Sequence, residues 1–334
     1  MKNIMNNPEH YVDETLAGIY SAHSNRYTAA DGNLRALVRA TKNGLPQVAV
    51  VTGGGSGHLP VFLGYVGEGL LSGCAVGSVF ASPPASTIET VARAAHSGKG
   101  VLFLYGNYQG DVMNFEMAEE ALIEDGIACT SVVVADDVAS APSERSHDRR
   151  GIAGLALAYK VAGAAAAAGQ TLDEVAAITR HALNSTRSLG VALGPCVIPA
   201  SGKPTFEIAE DEMEIGMGIH GEQGIQRTKL KPAREITKEL ATRILEDGPY
   251  ATGDQVAVLL NSLGATPLEE LYIMYGDLER ELSAAGVSIE RCWIGRYACS
   301  MEMAGASLTL MRLDSSILGL LDADSYSPLV QFGQ

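Results

Sequence analysis

The chain has no paired cysteines. Its five, Cys74, Cys129, Cys196, Cys292 and Cys299, are odd in number and contain no Cys-x-x-Cys motif, so neither a disulfide framework nor a zinc site is implied. It also lacks a basic patch. Asp and Glu number 39 against 24 Lys and Arg, and the resulting formal charge of -15 repels phosphate backbones and anionic lipid surfaces. The most basic stretch, residues 145–150, holds Asp148 as well and reads as a solvated loop. No nucleic acid and no membrane are expected among the partners. Residues 1–8 carry no apolar signal core, and the most apolar helical stretch, residues 152–169, is interrupted by Lys160 and made largely of alanine. A soluble cytoplasmic protein is expected. Low-complexity linkers and internal repeats are missing too.

What is present is a globular composition. A chain of 334 residues that is 46% hydrophobic and 19% charged can bury one large core or two medium ones, and ordinary domain size favours two. Apolar or β-branched runs at 48–52, 100–105 and 130–135 each end in turn chemistry, with helix-compatible segments such as 86–96 and 114–123 between them. Helix formers fill 150–169, and a further helical pattern covers 172–189. A Pro/Gly-rich stretch, 194–204, then breaks the periodicity. Beyond it strands are expected near 256–260, 287–293 and 307–313, and helices near 234–246 and 267–285. The predicted fold class is α/β: two α/β domains, residues 1–188 and 189–334, each built on a mixed β-sheet flanked by helices.

Two histidines stand in glycine-rich turns, His58 in Gly53-Gly54-Gly55-Ser56-Gly57-His58-Leu59-Pro60 and His220 in Gly216-Met217-Gly218-Ile219-His220-Gly221-Glu222. Glycines beside an imidazole let a small ligand approach the backbone, which a core-packing histidine does not require. A nucleotide phosphate loop is the first alternative, and it fails. Ser201-Gly202-Lys203-Pro204 has proline after the lysine and Val197 where a Walker loop has its first glycine. The dinucleotide pattern counted from Gly53 puts His58 in the last glycine position, and counted from Gly55 it puts Pro60 there. A nucleophile elbow around Ser56 would need glycine at His58. What remains is a strand-to-loop nest of backbone N–H groups with an imidazole at its rim. Asp111, in Gly106-Asn107-Tyr108-Gln109-Gly110-Asp111, follows a strand where α/β proteins bind ligands, and it reads equally well as a helix N-cap.

Together with Arg149-Arg150-Gly151-Ile152-Ala153-Gly154, Gly202-Lys203-Pro204-Thr205-Phe206, Leu263-Gly264-Ala265-Thr266-Pro267 and Met303-Ala304-Gly305-Ala306-Ser307-Leu308-Thr309, these motifs resemble the substrate-binding K subunit or domain of dihydroxyacetone kinases over nearly the whole chain. The resemblance implies that His220 forms a covalent hemiaminal with the ketone carbon, capturing a ketose and rejecting glycerol, which has no carbonyl. It implies that His58 exchanges hydrogen bonds with substrate oxygens, that Asp111 is the general base for the attacking hydroxyl, and that Gly55, Ser56 and Gly57 supply backbone contacts.

The same resemblance implies no metal and no cofactor on this chain. ATP, or ADP recharged by a phosphotransferase-system protein, would sit with Mg on a separate L-type nucleotide-binding subunit, and the chain would form a homodimer. Three positions depart from the family pattern. Gly106 stands where lysine is typical, Leu59 where glutamate follows the first histidine, and Arg296 where asparagine is common. Gly106 sits in the substrate site, and the space it leaves suggests a four-carbon ketose such as erythrulose. A paralogue that senses dihydroxyacetone and acts on a transcription regulator is the other alternative.

Overall fold

The structure is a computed structural model describing residues 3–40 and 46–332. Its first half runs α1 (Tyr11–Ala22), β1 (Tyr27–Ala29), β2 (Ala36–Arg39), β3 (Ala49–Ser56), β4 (Gly73–Val79), α2 (Ala85–Ala95), β5 (Val101–Gly106), α3 (Gln109–Glu124), β6 (Cys129–Val134), α4 (Gly154–Ala167) and α5 (Leu172–Asn184). The second half runs β7 (Thr186–Gly194), the short pair β8 (Val197–Ile198) and β9 (Lys203–Pro204), β10 (Glu212–Ile215), β11 (Gln226–Lys229), α6 (Ala233–Asp247), β12 (Gln255–Ser262), α7 (Leu268–Ala284), β13 (Ser288–Gly295), β14 (Ala304–Arg312) and α8 (Ser315–Asp322). No described helix is long and apolar enough to cross a membrane.

Each half builds one six-stranded mixed sheet, in the orders β1-β2-β4-β3-β5-β6 and β11-β10-β7-β14-β12-β13. In the first, β3 pairs parallel with both β4 and β5, so the chain leaves β3 to one side and later returns to the other. That reversal opens a crevice at the carboxyl ends of β3 and β5, the place where ligands bind in open α/β sheets. His58 follows β3 and Asp111 follows β5, so topology alone puts them together.

The two halves share a core. One cluster of buried side chains joins Leu102, Leu104 and Val132 of the first sheet to Leu259, Trp293 and Met311 of the second, with α4 buried through most of its length between them. The expected join between residues 188 and 189 falls inside β7, which pairs with the loop after β6 through Asp137 and Ser188. The helical pattern expected to run to 189 stops at Asn184. There the Ser185 and Thr186 hydroxyls turn back to the Ala182 carbonyl, and the chain becomes extended.

The loop at 145–150 is not simply solvated. Arg149 is 1% exposed, because its guanidinium donates in bidentate fashion to Asp247 at 2.7 and 2.6 Å while Arg187 donates to the same carboxylate. A buried guanidinium is tolerated only with such pairing. The clamp ties the chain just before α4 to the end of α6.

Candidate active site

β3 continues through the glycines. Gly53, Gly54 and Ser56 pair with Ala75, Val76 and Val79 of β4. The open nest expected at 53–57 is therefore absent, because the ladder with β4 engages much of that backbone. Gly55 is required sterically: a Cβ would come within 2.7 Å of the Ala81 nitrogen and 2.8 Å of the Phe80 Cα.

His58, at the end of this run, is fully buried, with Nδ1 2.8 Å from the Cys299 carbonyl oxygen. A carbonyl only accepts, so Nδ1 carries the proton and Nε2 offers a lone pair. That Nε2 has no hydrogen-bond partner. Burial, and after it the neighbouring His220, push the His58 pKa down to about 3, which keeps the ring neutral.

His220 lies in the connection between β10 and β11, and its ring centroid stands 4.5 Å from that of His58. Its Nδ1 is 3.1 Å from Glu222 Oε1, and its backbone N–H donates to Glu222 Oε2 at 2.9 Å. The carboxylate thus holds the proton on Nδ1 and turns the Nε2 lone pair outward. Burial opposes the Glu222 charge, but the His220 hydrogen bonds, the His220 charge and Arg150 outweigh it and take its pKa down to about 2. Arg150 lies 3.8 Å from Glu222, 2.8 Å from Asp137 and 3.0 Å from the Gly216 carbonyl, bracing the whole turn. Gly218 makes room for this brace, since a Cβ there would fall 2.4 Å from Glu222 Oε2.

Asp111 is not the helix cap. Tyr108 occupies that position, and Asp111 sits in the first turn of α3 with its Oδ1 unpartnered. Burial raises its pKa to about 6, against the opposing effects of the Ser82 hydroxyl and His220. A carboxyl so placed changes charge near neutral pH, as a general base should.

Gly55, Phe80, Ser82, Tyr108, Asp111, His220 and Glu222 enclose a cavity of about 190 Å³. His220, Asp111 and Gly55 line it, and His58 stands beside it against the His220 ring. Ser56 and Gly57 line a neighbouring cavity instead, and the Ser56 hydroxyl is spent on the Gly77 carbonyl at 2.8 Å. Gly106 does not border the 190 Å³ cavity. The room expected there is filled, because a Cβ on Gly106 would meet the Tyr108 ring at 3.2 and 3.3 Å. Among the described residues, four buried side-chain polar atoms lack a hydrogen-bond partner, and three of them belong to this one site: His58 Nε2, Tyr108 Oη and Asp111 Oδ1. Each such atom costs about 1–3 kcal/mol when left unsatisfied, so their convergence marks a place for a polar ligand. No group of three His, Cys, Asp or Glu side chains among the described residues forms a metal donor set.

The Dak1 domain model matches residues 17–329. The chain belongs to the Dak1 family. It is 43% identical over 314 residues to the PTS-dependent dihydroxyacetone kinase 1, dihydroxyacetone-binding subunit DhaK, of Listeria innocua, across 94% of this chain and 95% of that one. It is 39% identical to an L-erythrulose kinase of Pectobacterium atrosepticum, all of this chain spanning 57% of that protein. Among solved structures, a dihydroxyacetone kinase operon co-activator superposes with a TM-score of 0.87 at 33% identity, covering 93% of this chain and 96% of the other. In this Dak1 chain the sequence reading missed Tyr108, Ser82, Glu222 and Arg150. Tyr108, Glu222 and Arg150 stood inside motifs already singled out, whereas Ser82 carried no pattern, only a hydroxyl whose neighbours the fold supplies.

Proposed function

We propose that the protein captures a small ketose, dihydroxyacetone in the first instance, as a hemiaminal on His220 and holds it for phosphoryl transfer to a terminal hydroxyl. The observation that carries this reading is the gathering of three unpartnered polar atoms around His220: Tyr108 Oη and Asp111 Oδ1 on residues that line the cavity, and His58 Nε2 in the ring that meets the His220 ring, while Glu222 engages His220 Nδ1 and leaves Nε2 for the substrate. Nε2 adds to the carbonyl carbon, the C=O π bond opens onto oxygen, and the proton that Nδ1 releases past Glu222 is carried by water to that oxygen, so the adduct is neutral and Glu222 remains a carboxylate. The unpartnered Tyr108 Oη donates to the ketose, and His58 Nε2, which can only accept, takes a hydrogen bond from a substrate hydroxyl. Asp111 withdraws the proton from the hydroxyl to be phosphorylated. Gly55 lets the ketose lie close to the backbone.

ATP, or ADP recharged by a phosphotransferase-system protein, is brought with Mg by a separate L-type subunit and supplies the phosphoryl group. The Listeria relative, named a binding subunit and matched over 95% of its length, supports that division of labour. The L-erythrulose kinase supports a second reading in which the ketose has four carbons. The co-activator supports a third, in which the captured ketose is a signal to a transcription regulator. Dihydroxyacetone labelled at its carbonyl carbon tests the capture. Its resonance should move from the ketone to the saturated-carbon region on binding the wild type and stay put with His220→Ala. An unshifted ketone signal at saturation of the wild type overturns the reading.

A further inference from the structure

On the far side of the glycine run lies a second and larger cavity, about 520 Å³, which shares Gly55 with the first. Its walls are apolar, contributed by Val12 and Leu16 of α1, Phe62, and Val76 of β4. Two of the hydroxyls in its lining are spent on backbone: Thr15 donates to the Tyr11 carbonyl at 2.7 Å and Ser56 to that of Gly77. A cavity of this size with largely apolar walls suits an apolar body.

The rim differs from the walls. Arg296 stands there exposed, beside the Cys299 thiol, and forms no ion pair among the described residues. In a chain with a formal charge of -15, where most arginines are paired with carboxylates, an unpaired guanidinium over an apolar cavity complements an anion. Glu302 also reaches the rim, where one oxygen accepts from the Val197 N–H at 3.1 Å and the charge remains, so the anion is expected on the Arg296 side. Leu59 lines the cavity and is 36% exposed, so two of the three departures from the family pattern, Leu59 and Arg296, meet at the same opening.

We propose that this cavity is a second ligand site, taking a small amphiphile with an aliphatic body and one anionic group that meets Arg296. The site is distinct from the histidine cavity and does not depend on ketose capture.

Calorimetric titration of the full chain with octanoate, hexanoate and octanol tests it, with ketose capture on His220 measured in the same samples. Octanoate should bind saturably at one site, and shortening to hexanoate should weaken it roughly tenfold or more, as expected for two buried methylenes. Arg296→Gln should weaken octanoate by up to about fivefold, the range of an exposed ion pair, and leave octanol unchanged. Thr15→Trp, which fills the cavity from the surface of α1, should abolish octanoate binding while the ketose adduct persists. Absence of saturable octanoate binding to the wild type overturns the proposal, as does undiminished binding to Thr15→Trp. Equal binding of octanol and octanoate by the wild type removes the anion from it. If Thr15→Trp loses the adduct as well, the chain-length series and Arg296→Gln decide.

Discussion

The turn at 53–60 and the turn at 216–222 bring two imidazoles together at one site, His220 lining the small cavity and His58 standing against the His220 ring, and they prepare them differently. His58 is sealed from solvent and donates Nδ1–H to a neutral carbonyl. His220 is about one-fifth exposed and donates Nδ1–H to a carboxylate that is itself braced by an arginine. A carbonyl fixes the tautomer without making the ring more basic. A carboxylate does both, stabilising the positive charge that grows on the ring as Nε2 forms a bond. Residue type is therefore a poor guide to role at this site, and the partner of the far nitrogen is a good one.

The contrast can be broken most directly at the proposed nucleophile. His220→Ala should eliminate the ketose adduct and, with the nucleotide-bearing subunit present, lower kcat/KM for dihydroxyacetone by roughly two orders of magnitude or more, so that discrimination against glycerol collapses. The measurement is a competition assay between the two substrates.

Next in size is Asp111→Asn. It keeps the shape and removes the base, so turnover should fall by about a hundredfold or more while the adduct still forms. Wild-type turnover should decline as pH drops through about 6, because protonation of Asp111 removes its basic lone pair. The mutant's residual rate should lack that inflection.

Glu222→Gln tests the asymmetry itself. An amide can donate to Nδ1 as well as accept from it, so the ring loses its fixed tautomer. Adduct formation should weaken by roughly 10–100-fold, the usual range for the supporting carboxylate of a working imidazole. An equal loss on replacing the residue that contacts His58 is not available as a control, because that partner is the backbone of Cys299. The smallest effect is expected from Tyr108→Phe. Losing one hydrogen bond should raise KM by about three- to tenfold with little change in kcat, read from initial rates across ketose concentrations.

Much of the fold was legible because its signals were local. The runs at 100–105 and 256–260 are unbroken apolar stretches with turn residues behind them, and they became β5 and β12. β4 was not legible. Its sequence, Gly73-Cys74-Ala75-Val76-Gly77-Ser78-Val79, has no alternation and only two branched residues among glycines and small side chains, and it is a strand because β3 and β2 lie on either side of it. The site divides in the same way. His58, His220 and Asp111 were visible through glycines and strand ends, whereas Tyr108 looked like an ordinary aromatic until the 4.5 Å contact of its ring with His220 placed it. The space inferred at Gly106 was an error of the same origin, since a missing side chain says nothing about which neighbour moves in.

The segment after α8 turns back along the molecule. Tyr326 pairs with Glu68, the Ser327 hydroxyl donates to the Gly64 carbonyl, and Phe332 packs against Tyr65, Trp293 and Tyr297. Tyr65 belongs to the turn that follows His58, so residues separated by more than 260 positions complete one wall. On a ribosome the first sheet emerges long before that wall exists. α4 and α5 cover much of its apolar side early, but the wall around Tyr65 closes only when residues near 332 have been made, so the packing of the turn after His58 is completed late in the order of synthesis.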